Sequence, residues 1–187
     1  MNWANLITYS RLVCIPIIIV LYLTEFPWHY LWAAGLFSLA SLTDWADGYV
    51  ARNFNQASEY GAFLDPVADK LLVVVVLVLL VANYSTVWFV LPVGAIIARE
   101  IIVSALREWM ARRNQRDVVA VAFSGKLKTT VQMIAIIVLL ASDPDGYPLF
   151  WMSGYVLIYL AAGLSLYSMW HYFSAAWSTL SGADENA

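Results

Sequence analysis

The chain has 187 residues, of which 62% are hydrophobic and only 12% carry a charge. Charged residues make up about 25% of an average soluble domain, so this composition excludes an ordinary soluble fold. The net charge of −3 says little about partners in so apolar a chain, and we expect no nucleic-acid partner.

Six apolar segments follow one another along the sequence, and each is long enough to cross a bilayer as a helix of about 20 residues. The first is the weakest because Tyr9, Ser10 and Arg11 interrupt it. The sequence predicts an all-α fold, a single polytopic membrane domain over residues 1–187 with six transmembrane helices. The spans run roughly over 5–24, 30–53, 62–83, 86–110, 119–141 and 148–176.

Basic residues lie near alternate connections between these segments. The other connections, 24–30, 82–86 and 142–148, contain no lysine or arginine, and tryptophan and tyrosine cluster beside them. Cytoplasmic connections of membrane proteins are enriched in lysine and arginine, and aromatic residues collect at the membrane interfaces. We therefore expect the basic connections and both termini to face the cytoplasm. The basic residues are Arg11, Arg52, Lys70, Arg99, Arg107, Arg112, Arg113, Arg116, Lys126 and Lys128.

Four aspartates and one arginine lie near the basic ends of the second and third segments. Helical residues three or four positions apart share a face, so these residues fall into two stripes. The first stripe is Asp44, Asp47, Gly48, Ala51 and Arg52, and the second is Gly61, Asp65 and Asp69. Carboxylates at membrane depth need a compensating partner, and a divalent cation bound through oxygen suits this density of charge. We predict that two packed helices bring the four carboxylates together at one metal site.

Read together, the stripes give the pattern D-x2-D-G-x2-A-R-x8-G-x3-D-x3-D, which resembles the signature of the CDP-alcohol phosphotransferase family. That family consists of integral membrane enzymes that move a phosphatidyl or similar group from a CDP-linked donor to an alcohol. Further segments, 5–11, 98–102, 105–110 and 125–130, resemble its bacterial branch that uses glycerol 3-phosphate. The resemblance implies an enzyme of the bacterial inner membrane that converts CDP-diacylglycerol and glycerol 3-phosphate to phosphatidylglycerol phosphate and CMP.

The resemblance also implies roles for the residues of the two stripes. Two Mg²⁺ or Mn²⁺ ions would be held by Asp44, Asp47, Asp65 and Asp69. Asp69 would be a ligand, the general base for the acceptor hydroxyl, or both. Arg52 would bind the donor phosphate, and Gly48, lacking a Cβ, would let the nucleotide lie against the helix. Ala51 and Gly61 would complete the surface for the CDP-linked lipid.

An acceptor that carries a phosphate needs basic groups that the aspartates do not neutralise. The fourth and fifth segments supply Arg99, Arg107, Lys126 and Lys128. Thr8 and Arg11 would cap the acceptor site from the first segment. The alternatives are ion pairs of the arginines with Glu100 or Glu108, anchoring of the lysines at lipid head groups, and a juxtamembrane anchor role for Arg11.

Two other functions stay open at this point. A sister transferase would use serine or inositol phosphate as its acceptor, although the segments around Arg99, Arg107 and Lys126 argue against it. A divalent-cation transporter would use the carboxylates as a permeation site, although Arg52 and Lys70 would repel cations there. The resemblance also implies a homodimer, and small residues such as Ala33, Ala34, Ala161 and Ala162 would allow close helix packing between chains or within one.

Overall fold

The computed structural model describes residues 3–54, 59–113, 123–143 and 146–180. Within these ranges the side chains of residues 3–8, 44–54, 59–66, 69, 123, 124, 126 and 178–180 lie outside the described part. The regular structure of the described ranges is six helices without a strand, which confirms the all-α prediction. The helices are α1 (Trp3–Leu23), α2 (His29–Phe54), α3 (Glu59–Tyr84), α4 (Val87–Arg112), α5 (Phe123–Ala141) and α6 (Pro148–Leu180).

Local backbone chemistry sets where several of these helices begin. Trp28 precedes α2 with a φ of 67°, a left-handed conformation that reverses the chain after α1. The carbonyl of Thr86 precedes α4 and accepts the N–H groups of Phe89 and Val90 at 2.9 and 3.0 Å. Pro148 is the first residue of α6, where a missing N–H costs no helical hydrogen bond.

Two described helices are long and apolar enough to cross a membrane along their own length. They are α4 and the Pro148–Trp177 part of α6. Three others contain shorter apolar stretches, which cover Tyr9–Leu23, Lys70–Tyr84 and Leu127–Ala141. Membrane character is therefore supported by α4 and α6, and the six-span topology stays a prediction.

Tyr84 joins four helices at one end of the bundle. Its hydroxyl, near the end of α3, donates to the carbonyl of Leu139 in α5 at 3.2 Å. Its ring lies 5.1 Å from the ring of Phe89 in α4 and 5.7 Å from that of Tyr155 in α6. The last turns of α3 and α5 therefore meet the first turns of α4 and α6.

Contacts of Tyr22 place α1 and α2 at the same end. Asn83 of α3 donates to the Tyr22 hydroxyl at 2.7 Å, and the ring of Tyr30 in α2 packs edge-on against Tyr22 at 5.3 Å. We call this the aromatic end, defined by Tyr22, Tyr30, Tyr84, Phe89 and Tyr155. Consecutive helices thus run in opposite directions. The starts of α1, α3 and α5 and the ends of α2, α4 and α6 lie at the other end, which we call the basic end.

The core of the bundle lies where α6 packs on α5 and α4, while α1 packs on α2 and α3. Phe37, Leu77, Leu80 and Ile136 are fully buried there. The small residues Ala33, Ala34, Ala161 and Ala162 are also buried within the chain, so they serve intramolecular packing. Large apolar side chains such as Val20, Leu39, Leu91, Ile101 and Leu160 are exposed, as expected for a surface that meets lipid.

Gly154 lies where α6 packs tightly against Leu139 of α5. A Cβ at this position would lie 2.6 Å from both Cγ and Cδ2 of the fully buried Leu139. Gly154→Ala should therefore overpack the interface and destabilise the protein by about 1–3 kcal/mol. Thermal unfolding in detergent measures this as a lower apparent Tm.

Gly163 of the same helix provides the matched control, because a Cβ there meets nothing within 4 Å. Gly163→Ala should leave the apparent Tm unchanged or raise it, since alanine is the better helix former. An unchanged Tm for Gly154→Ala would show that α5 and α6 are packed differently.

Candidate functional site

Both aspartate stripes lie on continuous helix. The first, from Asp44 to Arg52, falls in the second half of α2, and the second, from Gly61 to Asp69, falls in the first half of α3. The helical backbone predicted from the spacing is therefore confirmed. The side chains of both stripes lie outside the described residues, so the convergence of the four carboxylates stays a prediction.

A metal fits the donor chemistry of these stripes. Four carboxylates, carried at helical spacing on two helices that follow one another, are hard oxygen donors of the kind that Mg²⁺ and Mn²⁺ accept. Among the side chains that the structure describes, no group of three or more His, Cys, Asp or Glu residues could hold a metal. The motif aspartates are outside that set.

Lys128, in the second turn of α5, and Glu100, midway along α4, form an ion pair between these helices. Lys128 is 0% exposed, and its Nζ donates to Glu100 Oε1. Arg99 lies beside the same oxygen, with Nη1 at 3.5 Å, and its Nη2 donates to Ser168 Oγ of α6 at 3.0 Å. One carboxylate oxygen therefore contacts two cations, and three helices meet around it.

Tyr172 of α6 lies against two arginines of α4. Its ring centroid is 5.8 Å from Cζ of Arg99 and 5.7 Å from Cζ of Arg107. Tyr172 is itself buried among apolar residues of α4 and α6. A guanidinium group within about 6 Å of a ring centroid is attracted by the negative face of the ring. We call Arg99, Arg107 and Lys128 the basic cluster.

A small cavity adjoins the basic cluster. It has a volume of about 60 Å³ and is lined by Lys70, Glu100, Thr129 and Gln132, together with Val73 and Met133. Gln132 is buried, and in the described part of the chain its Oε1 has no hydrogen-bond partner. Polar surroundings thus extend from Glu100 to Lys70, the residue that follows Asp69.

Comparison with known proteins identifies the family. The profile of the CDP-alcohol phosphatidyltransferases matches residues 1–170 of this chain. The chain belongs to the CDP-alcohol phosphatidyltransferase family. Proteins named CDP-diacylglycerol–glycerol-3-phosphate 3-phosphatidyltransferase are similar to it along nearly their whole length.

Three such relatives illustrate the similarity. The Pseudomonas fluorescens protein is 46% identical over 181 residues, which are 96% of this chain and 92% of the relative. The protein of Salmonella typhimurium strain LT2 is 46% identical over 177 residues, and that of Escherichia coli K12 is 45% identical over 177 residues. Each of these two alignments covers 94% of both chains. The resemblance inferred from the motif is thus confirmed.

For this member of the family, the structure decides several of the alternatives for the basic residues. Arg99 contacts Glu100, which agrees with the alternative of an ion pair between these residues, but it also contacts Ser168 and Tyr172. Lys128 does not anchor lipid head groups, because it is fully buried. Arg11 is 3% exposed, so it is not a surface anchor either. The side chains of Thr8 and Lys126 lie outside the described residues.

Sequence reasoning missed the polar residues that complete this region from α6 and α5. Ser168 and Tyr172 are four residues apart on α6, and Gln132 follows Lys128 by four on α5. Polar side chains at helical spacing within otherwise apolar helices were the available signal. That signal identifies a polar face, but it does not identify the partner of each residue.

Tyr172 generates a prediction about how the two arginines are held. Tyr172→Leu keeps an apolar side chain in the buried position but removes the aromatic face from Arg99 and Arg107. It should destabilise the protein by about 1–2 kcal/mol, measured as a lower apparent Tm in detergent. Tyr172→Phe keeps the face and should stay near the wild-type value.

Tyr167 lies on the same helix and is exposed, so Tyr167→Leu is the matched control and should not shift the Tm. If Tyr172→Leu and Tyr167→Leu unfold at the same temperature, the contacts of Tyr172 with the two guanidinium groups do not stabilise the fold.

Proposed function

We propose that this protein is a CDP-diacylglycerol–glycerol-3-phosphate 3-phosphatidyltransferase. It transfers the phosphatidyl group of CDP-diacylglycerol to glycerol 3-phosphate and yields phosphatidylglycerol phosphate and CMP. The observation that carries the proposal is the 45–46% identity, over at least 94% of the chain, to proteins of that name. The described geometry supports it with a cluster of cations suited to a phosphorylated acceptor.

The aspartates supply the reactive centre in this proposal. Two divalent cations, Mg²⁺ or Mn²⁺, would be held by Asp44, Asp47, Asp65 and Asp69. When bound, these ions would neutralise part of the negative charge on the reacting phosphate groups. Asp69 accepts the proton of the acceptor hydroxyl as its oxygen bonds to the lipid-side phosphorus. The bond from that phosphorus to the CMP oxygen breaks, and CMP leaves.

The donor lies along the end of the first stripe and the start of the second. Arg52 binds a phosphate of CDP-diacylglycerol, because a guanidinium group matches phosphate oxygens in charge and geometry. Gly48, Ala51 and Gly61 present little side chain, so the nucleotide can approach the helices closely. The acyl chains of the donor stay in the bilayer.

The acceptor phosphate binds at the basic cluster, joined by Lys126, Thr8 and Arg11. Arg107 is exposed and can contact the phosphate, whereas the buried Lys128 attracts it through its charge. Arg99, Arg107 and Lys128 carry three positive charges, and Glu100 carries one negative charge, so the described group has a net charge of +2 when all four are ionised. The phosphate of glycerol 3-phosphate carries a charge of opposite sign and similar size near neutral pH. Charge balance therefore favours a phosphorylated acceptor over serine.

The proposed topology has six membrane spans, with the aspartate motif and both termini on the cytoplasmic side of a bacterial inner membrane. Support comes from the alternating directions of the helices, since α1, α3 and α5 begin, and α2, α4 and α6 end, on the side opposite the aromatic end. The homodimer implied by the family resemblance is part of the same proposal.

The decisive experiment measures CMP release by the purified full-length protein in detergent. CDP-diacylglycerol and Mg²⁺ are supplied with one acceptor at a time: glycerol 3-phosphate, serine or inositol phosphate. We expect release with glycerol 3-phosphate alone, and we expect EDTA to stop it. Release with another acceptor would establish a sister transferase, and no release from folded protein with any acceptor would refute the enzyme assignment.

Asp47→Asn tests the metal assignment within the same assay. It removes a carboxylate ligand while keeping the size of the side chain, so CMP release should fall by roughly 100-fold or more. Asp143→Asn changes an exposed aspartate beside the aromatic end and should leave the rate unchanged. Retention of most activity by Asp47→Asn would remove that residue from the proposed site.

Cysteine labelling tests the orientation. In a Cys14→Ala background, Ser85→Cys places a thiol at an exposed position between α3 and α4, and Arg113→Cys places one just after α4. A membrane-impermeant maleimide should label the first variant, but not the second, in right-side-out vesicles. The reverse pattern would place the aspartate motif outside the cytoplasm.

A further inference from the structure

We propose that Glu100 is a positioning residue for the acceptor phosphate. Its carboxylate joins Lys128 of α5 to Arg99 of α4 and fixes the geometry of the basic cluster before the acceptor binds. The inference rests on the proposed function, and it assigns Glu100 a role through the cations rather than contact with substrate.

Glu100 contacts two cations through a single carboxylate oxygen. Lys128 Nζ and Arg99 Nη1 approach the same oxygen, Oε1 of Glu100. Two cations so close together repel one another, and the repulsion is stronger in buried surroundings than in water. The Glu100 side chain is 16% exposed, so solvent screens this group only slightly. Without the carboxylate, the two cations would move apart.

The pair of Glu100 with Lys128 also links α4 to α5. Both helices pack against α6, and neither uses the other as its main packing partner among the described elements. The pair between Glu100 and Lys128 therefore links two helices that are otherwise held through a third. Loss of this link would change the spacing between the cations of α4 and those of α5.

The balance of positive and negative charge in the basic cluster also supports this role for Glu100. Glu100 contacts two cations, and Arg107 joins Arg99 at the ring of Tyr172. One carboxylate therefore removes part of the repulsion yet leaves an excess of positive charge for a phosphate. A second carboxylate in contact with the cluster would halve its excess charge and weaken that attraction. Glu108, on the same helix, instead pairs with Arg112 at 2.6 Å, and both side chains are largely exposed. Surface pairs of this kind contribute little to stability, so Glu108 is a matched control.

The test compares Glu100→Gln with Glu108→Gln in the full-length protein. For each variant, kcat and the KM values for glycerol 3-phosphate and CDP-diacylglycerol are measured from CMP release. Glu100→Gln should raise the KM for glycerol 3-phosphate by about 10-fold or more, while the KM for CDP-diacylglycerol and kcat stay within about 3-fold of wild type. Glu108→Gln should match wild type in all three constants.

Glu100→Asp provides a second variant that keeps the charge but withdraws the carboxylate by one methylene group. It should raise the KM for glycerol 3-phosphate by about 3- to 10-fold, less than the glutamine variant does. This variant also decides the question if Glu100→Gln does not fold. A purely structural role for Glu100 would instead lower kcat or the apparent Tm and leave the KM for the acceptor unchanged.

The outcomes separate this inference from the proposed function. If the wild-type protein releases no CMP with glycerol 3-phosphate, the proposed function fails. If the wild-type protein is active but both Glu100 variants keep a normal KM for glycerol 3-phosphate, or raise both KM values equally, the positioning role is wrong.

Discussion

The ion pair between Lys128 and Glu100 is the interaction on which the arrangement of the candidate site depends. An ammonium group that is fully buried in an apolar bundle has lost its hydration, and only a paired carboxylate makes that burial tolerable. The same carboxylate also contacts Arg99, so one negative charge fixes the positions of two cations on different helices. The basic cluster therefore has a defined shape in the absence of substrate.

The two ends of the bundle use different kinds of interaction. At the aromatic end, rings and hydroxyl groups such as those of Tyr22, Tyr84 and Tyr155 join all six helices through apolar contacts and neutral hydrogen bonds. Near the basic end, charged groups occupy the spaces between helices. The aromatic contacts thus keep the helices aligned at one end, while buried ion pairs join them farther along the bundle.

Helix α6 organises the cluster although it contributes no charge to it. It packs on α4 and α5, and its Ser168 and Tyr172 contact Arg99 directly. Tyr172 also contacts Arg107, so a single ring aligns two guanidinium groups that are eight residues apart on α4. The basic cluster is thus shaped by α6, while its charges come from α4 and α5.

The sequence by itself determined the all-α fold, the approximate extent of the helices, the family, and the separation of basic from non-basic connections. These properties are local: they follow from hydropathy, from helical spacing and from the order of residues in one motif. Only the tertiary structure decided that Lys128 pairs with Glu100, 28 residues away, and that Arg99 reaches Ser168, 69 residues away. A helix in lipid is apolar on its outer face as well as toward the core, so hydropathy does not fix its rotation. The partners of its few polar residues therefore emerge only when the helices are packed.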